Sequence, residues 1–149
     1  MRRDWILAGL TTGVLAASST AGALLAFGLR LGTPARPFNA IGALLLGGDA
    51  MQVFGFAAGP TLVGVLLHLV AVVACGVLYA ALVGRKGHSV AWAIVLAILA
   101  LAASWAIGHS LGVGLAPLLP LGNLIVLGVV LALSLPIGMR FAFPPLYRD

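Results

Sequence analysis

The sequence predicts an all-α, polytopic membrane protein with four transmembrane helices plus a short re-entrant or interfacial helical segment. Three observations predict it. Hydrophobic residues fill 62% of the 149 positions and charged residues only 7%, whereas a water-facing shell needs about a quarter of its residues charged. The charges stand at the ends of long apolar runs, not inside them. Four of those runs are close to or longer than the roughly 20 residues that cross a hydrocarbon core at 1.5 Å per residue.

The first run, residues 5–29, contains no charged residue. Arg2 and Arg3 ahead of it, with Ala21-Gly22-Ala23 inside it, imitate a signal peptide and its cleavage site. The run continues past that site and exceeds the usual signal-peptide core, so it is read as an uncleaved span. Gly9, Gly13, Ala17 and Ala21 recur every four residues and make a flat stripe on which another helix backbone can approach closely.

Residues 37–58, PFNAIGALLLGGDAMQVFGFAA, are apolar but broken. Gly47 and Gly48 interrupt the segment just before Asp49, and neither apolar half, 40–46 or 51–58, is long enough to cross a bilayer. A pair of short helices lying on or dipping into the membrane is the expected form.

The second span, 60–83, begins with Pro60, which suits the first turn of a helix. The basic turn 84–88 follows, and Ser89 is placed to N-cap the third span, 90–107. Residues 108–120 read as an uncharged loop rich in glycine, leucine and proline. The fourth span is 121–139, with Pro136 expected to kink its last turn.

Four spans place Arg2, Arg3, Arg85, Lys86, Arg140 and Arg148 on one side, against Arg30 and Arg36 on the other. The rule that cytoplasmic loops keep Lys and Arg then puts both termini in the cytoplasm and the broken segment outside. A fifth span through Asp49 would move Arg85 and Lys86 out, which excludes it. The net charge of +5 forms no single basic patch, so it points to topology signals and anionic lipid headgroups, not to nucleic acid. Cys75, the one cysteine, lies within an apolar run and has no partner for an internal disulfide.

Ionisable groups at membrane depth are costly and therefore candidates for function. His68 lies about 12 Å below the outer end of the second span at helical rise, on a face shared with Gly64, Ala71, Cys75 and Tyr79. That face is expected to point into the bundle. His109 marks the outer end of the third span and Asn123 the outer start of the fourth, so with Asn39 and Asp49 the polar groups gather in the outer half. The third span adds a small-residue face at Ala93, Ala97, Ala100, Ser104 and Gly108.

Three functions compete for this set. The leading one is non-enzymatic: a structural or accessory subunit of a homo-oligomer or larger membrane complex, packed through small-residue pairs such as Gly9/Gly13, Gly28/Gly32, Gly55/Gly59 and Gly108/Gly112. The second is a small binding or permeation protein whose outer polar site uses Asn39, Asp49, His68, His109 and Asn123, with broken-helix backbone as further ligands. The third is a haem b held by His68 and His109, against which stands a difference in depth of about 12 Å. No HExxH, GxSxG, Walker loop or CxxC is present, and Asp49 is the only carboxylate away from the termini. No catalytic residue and no metal site is therefore named.

Pro37-Phe38-Asn39-Ala40, followed by Gly47 and Ala50, resembles the P-x-N-A…G-x-x-A loop signature of a group of small four-span bacterial membrane proteins of unknown function. The resemblance covers about fourteen residues and the general layout. It implies a bacterial inner-membrane protein whose signature lies in the loop after the first span, and it implies no activity. Members of the group carry a histidine three residues after the signature alanine; this chain has Ala43 there.

Overall fold

The computed structural model describes residues 4–86 and 89–142. The expectations for Arg2, Arg3, the turn at Gly87 and His88, the Ser89 cap and Arg148 concern residues or side chains outside the described set.

The described chain is all-α, and four of its helices are long and apolar enough to cross a membrane: Trp5–Arg30, Ala58–Gly84, Val90–Leu111 and Leu121–Ala142. They belong to α1 (Asp4–Arg30), α4 (Ala58–Lys86), α5 (Ser89–Leu111) and α7 (Leu121–Ala142). Three short helices complete the fold, α2 (Arg36–Leu46), α3 (Gly48–Gln52) and α6 (Leu115–Leu118). The stretch 108–120, expected as a loop, is partly helical: α5 runs on to Leu111 and α6 occupies four of the remaining positions. Gly108, Gly112, Gly114, Pro117 and Pro120 read as loop signals, and the helical turns between them are too short to show a period of their own.

Helix α1 is the hub. It packs against α4 on one side and α7 on the other, α5 packs on α7, and α2 packs on α4. Small residues make the close approaches, as expected where lipid gives helices little hydrophobic reason to associate. A Cβ on Gly9 would stand 2.7 Å from the Cα of Val77, and one on Gly13 would stand 2.6 Å from the Cα of Val73. The stripe on α1 is thus filled by α4 of the same chain. Near the same end, a Cβ on Gly138 of α7 would stand 2.9 Å from the Cα of Thr12. The start of α1 and the ends of α4 and α7 therefore lie together, at the end carrying Arg85, Lys86 and Arg140. Arg30, Arg36, α2, α3 and α6 lie at the other.

The break in residues 37–58 falls at Gly47, which caps α2 with φ 88° and ψ 173°. Only glycine takes that backbone geometry without strain. After it α3 makes barely more than one turn, and residues 53–57 are non-helical. Pro37 to Ala43 are buried, because α2 crosses α4 with backbones in contact: a Cβ on Gly64 would strike the carbonyl oxygen of Phe38, and one on Gly42 the carbonyl oxygen of Pro60. Most large side chains exposed on α4, α5 and α7, such as Leu66, Val70, Ile98, Leu99 and Leu133, are aliphatic, the surface a bilayer solvates.

Candidate functional site

Two polar constellations sit in the half of the molecule away from Arg85, Lys86 and Arg140, and they do different things. The first holds the broken segment together. Asn39, fully buried on α2, donates through Nδ2 to the carbonyls of Val53 (2.9 Å) and Gly55 (2.8 Å), while its Oδ1 accepts from the Thr61 hydroxyl at 2.6 Å. Thr61 in turn accepts from the backbone N–H of Ala57 at 3.1 Å, satisfying a donor that the start of α4 would otherwise leave open. One amide side chain thus ties three segments of backbone and is itself satisfied. Its role is structural.

The second constellation borders a cavity of ≈ 420 Å³ lined by side chains of α1, α2, α4, α5 and α7 with the approach to α6. It exists because α4 and α5, neighbours in sequence, scarcely pack against each other, α5 being held by α7. Leu45, Ala71, Ala103 and Ile107 both line the cavity and are exposed. Its mouth therefore opens sideways between α4 and α5, toward the lipid-facing surface.

His68 is the main polar group on the wall. Its Nε2 lies 3.0 Å from Oγ1 of Thr20 and 3.4 Å from the carbonyl oxygen of Ala17. The Thr20 hydroxyl has carbonyl acceptors for its own hydrogen at Ala16 (2.8 Å) and Ala17 (3.2 Å), and the Ala17 oxygen can only accept. The Ala17 contact and the use of the Thr20 hydrogen within its own helix favour the tautomer with Nε2 protonated, which leaves Nδ1 as a lone-pair acceptor. The Phe38 ring meets the imidazole edge-on, with centroids 6.1 Å apart, so α1, α2 and α4 all fix its orientation. Nδ1 has no hydrogen-bond partner among the described residues and is not enclosed by protein.

Ser104 of α5 and Cys75 of α4 are the other polar side chains on the wall besides Thr20, and among the described residues no Lys, Arg, Asp or Glu lines it. The Ser104 hydroxyl also lacks a partner among the described residues. The sixteen-residue step from His68 to Gly84 and the fourteen-residue step from Val90 to Ser104 correspond to about 24 Å and about 21 Å from the opposite face. The two groups therefore stand within one helical turn of the same depth, on the facing sides of the gap.

Of the five residues assigned from sequence to a polar site, Asn39, Asp49, His68, His109 and Asn123, only His68 lines this cavity. Asp49 is exposed in the first turn of α3. Asn123 is half-buried near the start of α7, away from the cavity lining. His109 is exposed and stacks on Trp105, with centroids 5.1 Å apart and planes 3° from parallel, so it does not share a ligand space with His68. Among the described residues no group of three or more His, Cys, Asp or Glu could hold a metal ion.

Comparison does not extend the assignment. Family models, characterised proteins and solved structures alike give no match to this chain. The site must be read from its own chemistry.

Thr20 and Thr61, the two hydroxyls that orient His68 and Asn39, were not singled out from sequence. Each is one of several Ser and Thr residues on apolar helices, where most such side chains only bond the preceding turn, as Thr11, Ser18 and Ser19 do.

Proposed function

We propose that this protein is a non-enzymatic binding protein of the membrane, taking a small apolar or amphipathic molecule from the outer half of the bilayer into the α4–α5 cavity. The observation that carries the reading is the cavity itself. Its volume of ≈ 420 Å³ falls in the roughly 300–1,000 Å³ range of small-molecule sites, which pair an apolar lining with a few placed polar groups. The lateral mouth suits a ligand that partitions into lipid. We assign the membrane as a bacterial inner membrane, on the loop signature, and the end bearing Arg85, Lys86 and Arg140 to the cytoplasm, on the distribution of positive charge.

The test is labelling in lipid nanodiscs with a photoactivatable long-chain probe, followed by peptide mapping. Adducts should concentrate on the cavity walls of α4 and α5, and Ala71→Phe, which fills the mouth, should reduce them at least fivefold. Adducts spread evenly over all lipid-facing surfaces, and indifferent to Ala71→Phe, would overturn the reading.

A second reading, the accessory subunit, draws on the lipid-facing side of α1. Thr11 and Ser18 border a shallow groove there, and Gly22 has nothing within 4 Å of where its Cβ would be. Such a face suits another membrane helix. Cysteine pairs introduced at Ser18 and Gly22 should crosslink copies or a co-purifying subunit in native membranes; a monomer free of crosslinks would count against it.

A further inference from the structure

We infer that the α4–α5 cavity recognises a neutral single-chain lipid alcohol, whose hydroxyl donates to Nδ1 of His68 and accepts from the hydroxyl of Ser104. This deepens the binding reading above and rests on it.

The charge state follows from the wall. An ionised carboxylate, phosphate or ammonium head needs a counter-charge or water when taken to this depth, and among the described residues no charged side chain lines the cavity. The head group must be neutral.

The donor pattern then selects among neutral heads. In the tautomer that Thr20 and Ala17 favour, with the proton on Nε2, Nδ1 of His68 can only accept. A ketone, ester or quinone carbonyl offers no hydrogen to it, and a plain hydrocarbon leaves both polar groups unpaired, which is costly in an apolar site. Ser104, on the opposite wall at matched depth, can both donate and accept. A hydroxyl is the simplest group that satisfies both walls, giving its hydrogen to one and its lone pair to the other.

The apolar body has its place as well. Below the polar pair the wall continues through Val72, Cys75, Ala100 and Leu131 toward the middle of the bundle, and the volume lies toward the small end of the range for ligand sites. One chain fits that space better than two.

The experiment uses the full chain in phosphatidylcholine nanodiscs, labelled with a hexadecanol carrying a mid-chain diazirine. Unlabelled 1-hexadecanol and hexadecyl methyl ether, which keeps the oxygen but loses the donor, serve as competitors. The alcohol should compete at about tenfold lower concentration than the ether, the effect of one hydrogen bond gained in an apolar site. That preference should disappear in His68→Phe, whereas Ser104→Ala, a minimal change that leaves the helix intact, should weaken alcohol and ether alike and keep the preference, because both offer the same oxygen to Ser104. Palmitate should compete no better than the ether. Equal competition by alcohol and ether in the wild-type protein would overturn hydroxyl recognition while leaving the binding reading in place. Labelling that no competitor reduces and that ignores Ala71→Phe would overturn both.

Discussion

The Thr61 hydroxyl donates to Oδ1 of Asn39 at 2.6 Å, and this contact joins the start of α4 to the middle of α2. Because Asn39 also holds the carbonyls of Val53 and Gly55, the irregular chain between α3 and α4 is anchored to the bundle through one buried amide. Asn39 itself sits on α2, the helix carrying Ile41, Leu44 and Leu45, which line the cavity. Segment and site are therefore coupled.

Asn39→Leu removes both Nδ2–H donors and the acceptor, leaving the buried Thr61 hydroxyl without its acceptor at about 1–3 kcal/mol and releasing the carbonyls of Val53 and Gly55 that hold the segment. Asn39→Asp preserves the shape and the bond from Thr61 but points a carboxylate oxygen at two carbonyls. Both variants should lower the unfolding midpoint in mild detergent and weaken capture of a photoactivatable lipid probe. An Asn39→Asp protein as stable as wild type would refute the assigned bonding.

The crossing of α2 over α4 gives a sharper contrast. A Cβ on Gly64 meets the backbone carbonyl of Phe38, which cannot swing aside as a side chain can. Gly64→Ala should lower the midpoint by roughly 5–10 °C, the cost of overpacking at a rigid contact. Gly22→Ala, with open space around it, should be neutral or slightly stabilising, since alanine favours helix. Thermal melts of the two variants side by side measure the difference.

How much of this was legible in the sequence depends on the range of the interaction. The four spanning helices and the break at Gly47 follow from local signals, an apolar run between charges and a pair of glycines. His68 was visible as a polar mark on its helix, whereas Ser104 stood out only as one of the small residues on a face of α5. The cavity was not, because it arises from α5 choosing α7 over its sequence neighbour α4, a preference that no single helix displays. Asn39 drew notice as a polar group in an apolar segment, yet its partners at Val53, Gly55 and Thr61 lie 14 to 22 residues away. Its function as a clamp could only emerge once the chain was folded back.

A haem between His68 and His109 makes a spectral prediction. His109 stacks on Trp105 at the exposed surface, and Nε2 of His68 is engaged by Thr20. Protein purified from cells supplied with a haem precursor should therefore show no Soret band. A band that vanished in both His68→Ala and His109→Ala would reinstate the pair.

The tautomer of His68 decides what the cavity offers a ligand, and it is measurable. With Thr20 Oγ1 at 3.0 Å and the Ala17 carbonyl at 3.4 Å from Nε2, ¹⁵N NMR of histidine-labelled protein should show one imidazole with a protonated Nε2 and an unprotonated Nδ1. Thr20→Val keeps the side-chain shape but removes the nearer partner, at a cost of about 1 kcal/mol. The ring is then held only by the long contact to Ala17 and by Phe38, so the two tautomers should mix and the preference for an alcohol over its methyl ether should fall. A wild-type spectrum dominated by the Nδ1–H form would reverse the chemistry of the wall. The cavity would then present a donor, and a carbonyl-bearing ligand would suit it better than an alcohol.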